Sequence, residues 1–348
     1  MMDGIGSIAA EAAAALGRGL AGVEPLSGQA SARRYVRLRL DRGLPGGETS
    51  MMLVLLGDNP LGAEEVTSEG QAAELPFSAM QRFLAGRGVP VPALLVDRWQ
   101  EGWQVQEDLG ATTLKASLEG LEASDRMARL REGVDLLVDF QRRVWSAAPG
   151  ACPTPAGRFD HALLRWELDH FVEWGLRAGL GARPDADEQG AWDRCLDRVA
   201  AALARRADRV AHRDYQSTNL MVTPRGLVLI DFQDALLGTE AYDLVAYLRD
   251  SYVELAPAEL EALLRRYEAG REAAGIPVAG DFRALFDLQT VQRKLKDAGR
   301  FVFLDRVKGK PGYLPYVAPS LRYVMAALDR LPEHGELRSL LARQVPPG

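Results

Sequence analysis

Asp214 stands five positions before Asn219 in the run Ala211-His212-Arg213-Asp214-Tyr215-Gln216-Ser217-Thr218-Asn219, and a second acid, Asp231, follows twelve positions after the amide. Phosphoryl transfer uses such a set. One carboxylate orients or deprotonates an acceptor hydroxyl, and the other oxygens hold magnesium against nucleotide phosphates. The H-R-D-x-x-x-x-N order followed by Asp matches the kinase catalytic loop in spacing. The plainer alternative is that Asp214 and Asn219 cap turns and Asp231 ends a strand.

The elements that carry this trio are two short β segments, Asn219 to Thr223 and Leu227 to Phe232, joined by Pro224-Arg225-Gly226. In such a hairpin the residue before the first strand and the residue after the second lie side by side, so Asn219 and Asp231 can share one metal. Upstream, Arg33 to Leu40 alternates with period two: Val36, Leu38 and Leu40 on one face, Tyr35, Arg37 and Arg39 on the other. That places Arg34 on the apolar, inward side and Arg33 toward solvent. Further strands are expected at Val23 to Leu26, Met51 to Leu56, Ala93 to Val96 and Gly102 to Gln106, with a helix at Phe77 to Ala85. The alanine-rich start, Met1 to Leu20, reads as a surface helix. From Thr113 onward, 3.6-residue periodicity predicts helices over Arg126 to Val144, His161 to Ala178, Ala191 to Arg206, Leu244 to Glu254, Pro257 to Gly270 and Phe282 to Leu295. The fold class is α+β, with a small, mainly β lobe at 1–106 and a larger, mainly α lobe at 107–348.

Composition narrows the partners. A chain of 348 residues with 47% hydrophobic content can bury a large core, and a net charge of -6 with a pI near 5.5 argues against a nucleic-acid surface. Cys152 and Cys195 are far apart and without metal-ligand company, which suits a reducing cytoplasm. No segment reads as a signal peptide or membrane span. The protein is expected to act as a monomer on small molecules.

The loop resembles the phosphate-transfer motif of aminoglycoside phosphotransferases and choline kinases. Within that family, the stretch from about Leu26 to Val324 is similar to the sugar kinases that phosphorylate the C1 hydroxyl of N-acetylmuramate and N-acetylglucosamine in bacterial cell-wall recycling. The resemblance is carried by Ser31-Ala32-Arg33-Arg34-Tyr35, Gly88-Val89-Pro90-Val91-Pro92, Glu107-Asp108-Leu109-Gly110 and Glu167-Leu168-Asp169-His170-Phe171-Val172-Glu173-Trp174. It continues through His212-Arg213-Asp214-Tyr215, Ile230-Asp231-Phe232-Gln233-Asp234-Ala235, Tyr242-Asp243-Leu244-Val245, Leu248-Arg249-Asp250 and Gln292-Arg293-Lys294-Leu295-Lys296. It implies a two-lobed protein-kinase-like fold, ATP and magnesium as cofactors, and a sugar acceptor. Asp214 is then the base, with Asn219 and Asp231 on the metal.

For the nucleotide, the end of the strand at Gln106, Glu107 and Leu109 offers backbone groups to adenine, or is simply a turn. Ser31 lies in the loop that would cover the phosphates. There is no G-x-G-x-x-G, and Met51-Met52-Leu53-Val54-Leu55-Leu56 has no lysine where kinases keep one; indeed none precedes Lys115. Arginine is the remaining cation, and Arg34 is expected to pair with phosphate in bidentate fashion. On the acceptor side, Trp166, Phe171 and Trp174 form an aromatic stripe that is core or sugar platform, and the resemblance raises Glu167, Glu173 and Trp174 as sugar ligands. Asp234 is a candidate for metal or sugar. Arg249 and Arg293 would suit a lactyl carboxylate. His212 is expected to pack and Asp243 to cap the following helix and brace the loop. An aminoglycoside, choline or another alcohol as acceptor, or a nucleotide-binding module without turnover, are the competing readings.

Overall fold

A computed structural model describes residues 2–26, 33–57, 74–147, 150–153 and 157–344. The chain divides into two compact units. One gathers Met1–Thr113, Ala147–Pro155 and Met221–Asp234, the other Leu114–Ser146, Ala156–Leu220 and Ala235–Gly348.

In the first unit, β1 (Leu20–Pro25), β2 (Arg34–Leu40), β3 (Ser50–Leu55), β4 (Leu94–Arg98) and β5 (Trp103–Glu107) form an antiparallel sheet in the order β1-β2-β3-β5-β4. Alternation sends Val36, Leu38, Met51, Leu53, Trp103 and Val105 to one face, where they pack on Ala9, Ala12 and Ala13 of α1 (Met2–Ala15). The helix expected at the surface is there, with Ala10, Glu11, Ala14 and Ala15 exposed, and its small alanines at Ala9, Ala12 and Ala13 let its inner face lie close to the sheet as one wall of the core. The opposite face is polar yet covered as well. Gln104 is buried there, its Nε2 donating to Ser78 Oγ of α2 (Pro76–Gly86) at 2.8 Å and to Asp97 Oδ1 at 2.8 Å. Left without those acceptors the amide would cost about 1–3 kcal/mol.

The second unit is helical: α3 (Leu114–Ser117), α4 (Ala123–Trp145), α5 (His161–His170), α6 (Ala186–Ala204), α7 (Tyr242–Leu248), α8 (Pro257–Ala273), α9 (Phe282–Arg306), α10 (Val317–Leu328) and α11 (Gly335–Ala342). It also holds the two-stranded pair of β6 (Arg209–Ala211) with β9 (Leu236–Gly238). The hairpin β7 (Leu220–Thr223) and β8 (Gly226–Leu229) forms where it was expected.

The helix expected over Phe282 to Leu295 runs on to Arg306, the one expected from Ala191 starts at Ala186, and two others change course. The one expected over His161 to Ala178 changes after His170 into a π-helix, Phe171–Gly179. There α9 crosses so closely that a Cβ on Gly299 would stand 2.8 Å from Phe171 Cα, and one on Gly175 would meet the Phe171 ring. The helix expected to reach Glu254 ends at Leu248, because Asp250 turns its carboxylate onto the Ser217 N–H, the Ser217 hydroxyl and the Tyr252 N–H at 2.8, 2.5 and 2.9 Å.

Candidate active site

In the helical unit, the loop after β6 is held from below by α7. The Asp243 carboxylate accepts from the backbone N–H of His212 at 2.7 Å and of Arg213 at 3.0 Å. Arg213 there has φ 77°, a left-handed conformation that a non-glycine residue keeps only when its surroundings enforce it. Asp243 therefore braces the loop as expected, from the first turn of α7; it is not that helix's cap, a place taken by Ala241. Below the loop, the Tyr215 hydroxyl donates to the Gly133 carbonyl at 2.8 Å, and the buried His212 ring stands edge-on to Tyr215 and Phe140. His212 packs, as its sequence context suggested.

The bend aims Asp214 at α9. Arg293 Nη2 lies 3.4 Å from Asp214 Oδ1 while Nη1 donates to the Arg213 carbonyl at 2.8 Å, and the guanidinium rides over the Tyr242 ring at 5.1 Å. Burial would raise the Asp214 pKa, but Arg293, Lys296, Arg213 and His212 outweigh it and hold the carboxyl below its ordinary value. The side chain is still 35% exposed. An ionised, reachable carboxylate is what a hydroxyl acceptor needs. Asn219 Nδ2 donates to the Asp214 carbonyl at 2.9 Å, which turns its Oδ1 away as a free oxygen donor.

In the sheet unit, the Leu229 N–H bonds to the Pro90 carbonyl and the Val222 N–H to that of Thr112, each at 2.8 Å; Arg225 reaches Glu107 Oε2 at 2.7 Å. Past the hairpin, Asp231 takes φ 65° and remains exposed, with Gln233 Nε2 donating to its Oδ1 at 2.7 Å. Phe232 is buried and stacked on Phe77 of α2 at 5.0 Å, which fixes the chain at this second left-handed residue.

Tyr35 shows which face of β2 Asp231 sits against. Burial raises the Tyr35 phenol above its ordinary pKa, Arg33 pulls it down through charge and a hydrogen bond, and Asp231 pushes it up. Arg33 thus shares a side with Tyr35 and Asp231. Arg34 is exposed on the other face, which reverses the inward and outward assignment drawn from the alternation. Arg37 is no candidate for phosphate: it clamps Asp108 through Nε at 2.6 Å and Nη2 at 3.1 Å and also donates to the Gly110 carbonyl. This buried pair fixes the turn after β5, whose Gly110 has φ 84°. Of the adenine candidates, Gln106 is buried beside Gln104, the Glu107 side chain serves Arg225 and the Ala93 N–H, and Leu109 is half-buried. Among the described residues the Leu109 backbone meets no partner. Ser31 lies outside them.

The acceptor candidates separate. Glu167 is fully buried, its Oε2 taking the Gln292 amide at 2.6 Å and its Oε1 standing 3.9 Å from Arg213, so it supports the loop and is closed to a sugar. Glu173 is exposed on the π-helix; Trp174 is half-buried against Phe303 at 5.2 Å. Asp234 is half-buried and accepts from Gln233 at 3.4 Å. Arg249 is walled between the Tyr323 and Phe286 rings at 4.9 and 5.7 Å. Arg293 reaches Asp214 directly. Sequence reasoning missed Lys296, whose charge acts on Asp214 from the next turn of α9 and whose only signal was its place in the Gln292 to Lys296 block.

The donor chemistry fits magnesium. Asn219 Oδ1 in the helical unit and the Asp231 carboxylate in the sheet unit are each hard oxygen donors, and among the described residues no group of three or more His, Cys, Asp or Glu forms a cage. Magnesium needs none, since one or two protein oxygens suffice beside phosphates and water.

A β-rich unit, a helical unit and a loop of this shape are the parts of a protein-kinase-like phosphotransferase. The fold matches a choline/ethanolamine kinase family protein from Mesorhizobium loti (TM-score 0.59, 17% identity, 97% of this chain and 99% of that one). It also matches the choline kinase LicA of Streptococcus pneumoniae in complex with AMP (TM-score 0.55, 15% identity, 94% and 98%). By sequence the chain is 33% identical over 321 residues to an N-acetylmuramate/N-acetylglucosamine kinase of Pseudomonas aeruginosa, covering 91% of this chain and 87% of that protein. Residues 22–276 match the phosphotransferase enzyme family that includes the aminoglycoside phosphotransferases, and the chain belongs to that family. No described helix is long and apolar enough to cross a membrane.

Proposed function

We propose that the chain is an ATP- and magnesium-dependent kinase that phosphorylates the anomeric C1 hydroxyl of an N-acetylated amino sugar, N-acetylmuramate or N-acetylglucosamine, in cytoplasmic cell-wall recycling. The ionised, Arg293-held Asp214 carries the phosphotransfer reading. The similarity to the Pseudomonas aeruginosa kinase carries the acceptor.

In this reading Asp214 accepts a hydrogen bond from the C1 hydroxyl and takes its proton as the new oxygen–phosphorus bond forms and the bond to the ADP oxygen breaks. Arg293 keeps the carboxylate turned toward the hydroxyl and tied to the loop. Asn219 and Asp231 would hold the metal, which when bound neutralises charge on the phosphates. The backbone of Leu109 would meet adenine. Arg33, on the Tyr35 and Asp231 side of β2, would meet phosphate in place of Arg34.

The test is magnesium-dependent ADP release over N-acetylmuramate, N-acetylglucosamine, N-acetylgalactosamine, choline and kanamycin. Phosphorus NMR then identifies the oxygen that is phosphorylated. Turnover of the first two with phosphate on C1 is expected; preference for choline or kanamycin would sink the acceptor. Arg33→Ala should raise the KM for ATP by about tenfold or more, and Arg34→Ala should change it far less. The reverse ranking would return the phosphate to Arg34.

A further inference from the structure

We infer that Lys296 recognises the carboxylate of an anionic acceptor, taking the lactyl group of N-acetylmuramate and so distinguishing that sugar from N-acetylglucosamine. The inference rests on the acceptor class proposed above.

Four cations from α9 and the end of α7 are available to this part of the helical unit; two are tied by hydrogen bonds and a third is enclosed by aromatic rings. Arg293 spends one Nη on the Arg213 carbonyl and the other on Asp214. The Lys294 ammonium donates to Ser251 Oγ at 2.5 Å and to Asp297 Oδ2 at 2.8 Å. Arg249 is enclosed by its two aromatic rings, near Arg330 and Asp287. Lys296 makes no hydrogen bond among the described residues. Its one charged contact is Asp297 Oδ1 at 3.9 Å, and that carboxylate is already bonded to Lys294.

Its place is suited to an acceptor. Lys296 stands one turn beyond Gln292 and Arg293 on α9, and its ammonium feels Tyr242, Glu167 and Arg293 and acts on Asp214. The acidic groups around it hold it protonated. With 14% of its side chain exposed it is largely desolvated, which strengthens its attraction for an arriving anion, while water still reaches it. That residual access matters for a two-substrate enzyme. When the sugar brings a carboxylate, the ammonium gains a charged partner; when it brings a bare hydroxyl, water can satisfy the three donors. Lysine suits this better than arginine, because a compact ammonium does not require a planar, bidentate partner.

Steady-state kinetics of the full chain with both sugars test the assignment. Lys296→Met should raise the KM for N-acetylmuramate by about tenfold or more. The KM for N-acetylglucosamine should move by no more than about twofold, while kcat falls by the same factor on both sugars, because a charge that helps hold Asp214 ionised is lost to both reactions. Lys296→Arg should recover part of the preference. On the wild type, the methyl ester of N-acetylmuramate should show the same rise in KM, and Lys296→Met should be indifferent to esterification. An equal rise in KM for both sugars, or a rise for neither, would overturn the role of Lys296. If the wild type turns over both sugars and selectivity is unmoved, only this inference falls; if it turns over neither, the proposed activity falls and takes this inference with it. Should Lys296→Met not fold, Lys296→Gln and the ester comparison on the wild type are read in the same way.

Discussion

Arg293 on α9 and Arg249 just past the end of α7 are two buried arginines, 1% and 6% exposed, each stacked on an aromatic ring. Their charges are treated in opposite ways. Around Arg293 burial disfavours the charge, but Tyr242, Asp297, Asp214 and Glu167 more than compensate and raise its pKa. Around Arg249 burial, reinforced by Arg330, lowers it to about 10, and among the described residues its Nε has no acceptor. Burial alone therefore does not mark a working cation. What separates the two is the carbonyl and the carboxylate that receive Arg293, and these belong to the loop that carries Asp214.

The largest expected effect lies with the group that Arg293 serves. Asp214→Asn should lower kcat by about 10²–10⁴-fold with nucleotide binding, followed by calorimetry, unchanged; near-normal turnover would remove the meaning of the contrast. A paired arginine in the other unit gives the next. Asp108→Ala leaves the buried Arg37 with only the half-exposed Glu24 at 3.6 Å and should cost about 3 kcal/mol in denaturant unfolding.

Arg293→Met should come third. It removes the largest charge that lowers the Asp214 pKa, so the acid limb of kcat/KM moves to higher pH. The sign for stability follows the same logic: a depressed carboxyl pKa contributes stability above its unfolded value, near 3.8, that is lost as pH falls through the folded one. Because Asp214 is 35% exposed, the loss at neutral pH should be about 1.5–3 kcal/mol rather than that of a fully buried pair. Arg249→Met is the smallest, within about 1 kcal/mol and of either sign, since an apolar side chain of similar length suits a pocket between two rings. It should leave the pH profile alone. A loss on Arg249→Met that matches Arg293→Met would break the comparison.

The candidate loop was legible because its residues are close in sequence: Asp214 and Asn219 come just before one hairpin and Asp231 just after it. What holds them was less so. Asp243, Asp250, Glu167 and Arg293 reach the loop from helices far along the chain, and a periodic pattern says only that those helices are amphipathic. The exposure of Arg34 runs against the alternation for a different physical reason. Alternation separates two faces but does not say which is covered, and here both are, one by the alanines of α1 and the other by α2 with its buried glutamine and serine partners. The π-helix was invisible because its side chains keep an apolar spacing that an α-helix also satisfies over so short a stretch.

That wide helix has a consequence for how the protein can vary. A segment whose carbonyls accept from five residues ahead, as Gly175 does from Leu180 at 2.9 Å, already contains the slack of an extra residue. Losing one residue between Phe171 and Gly179 would tighten the winding without breaking the rod, and every side chain past that point, Trp174 included, would turn to a new bearing. Pitch, more than composition, is then the variable by which descendants of this sequence could reshape this wall while α9 and its glycine crossing stay where they are.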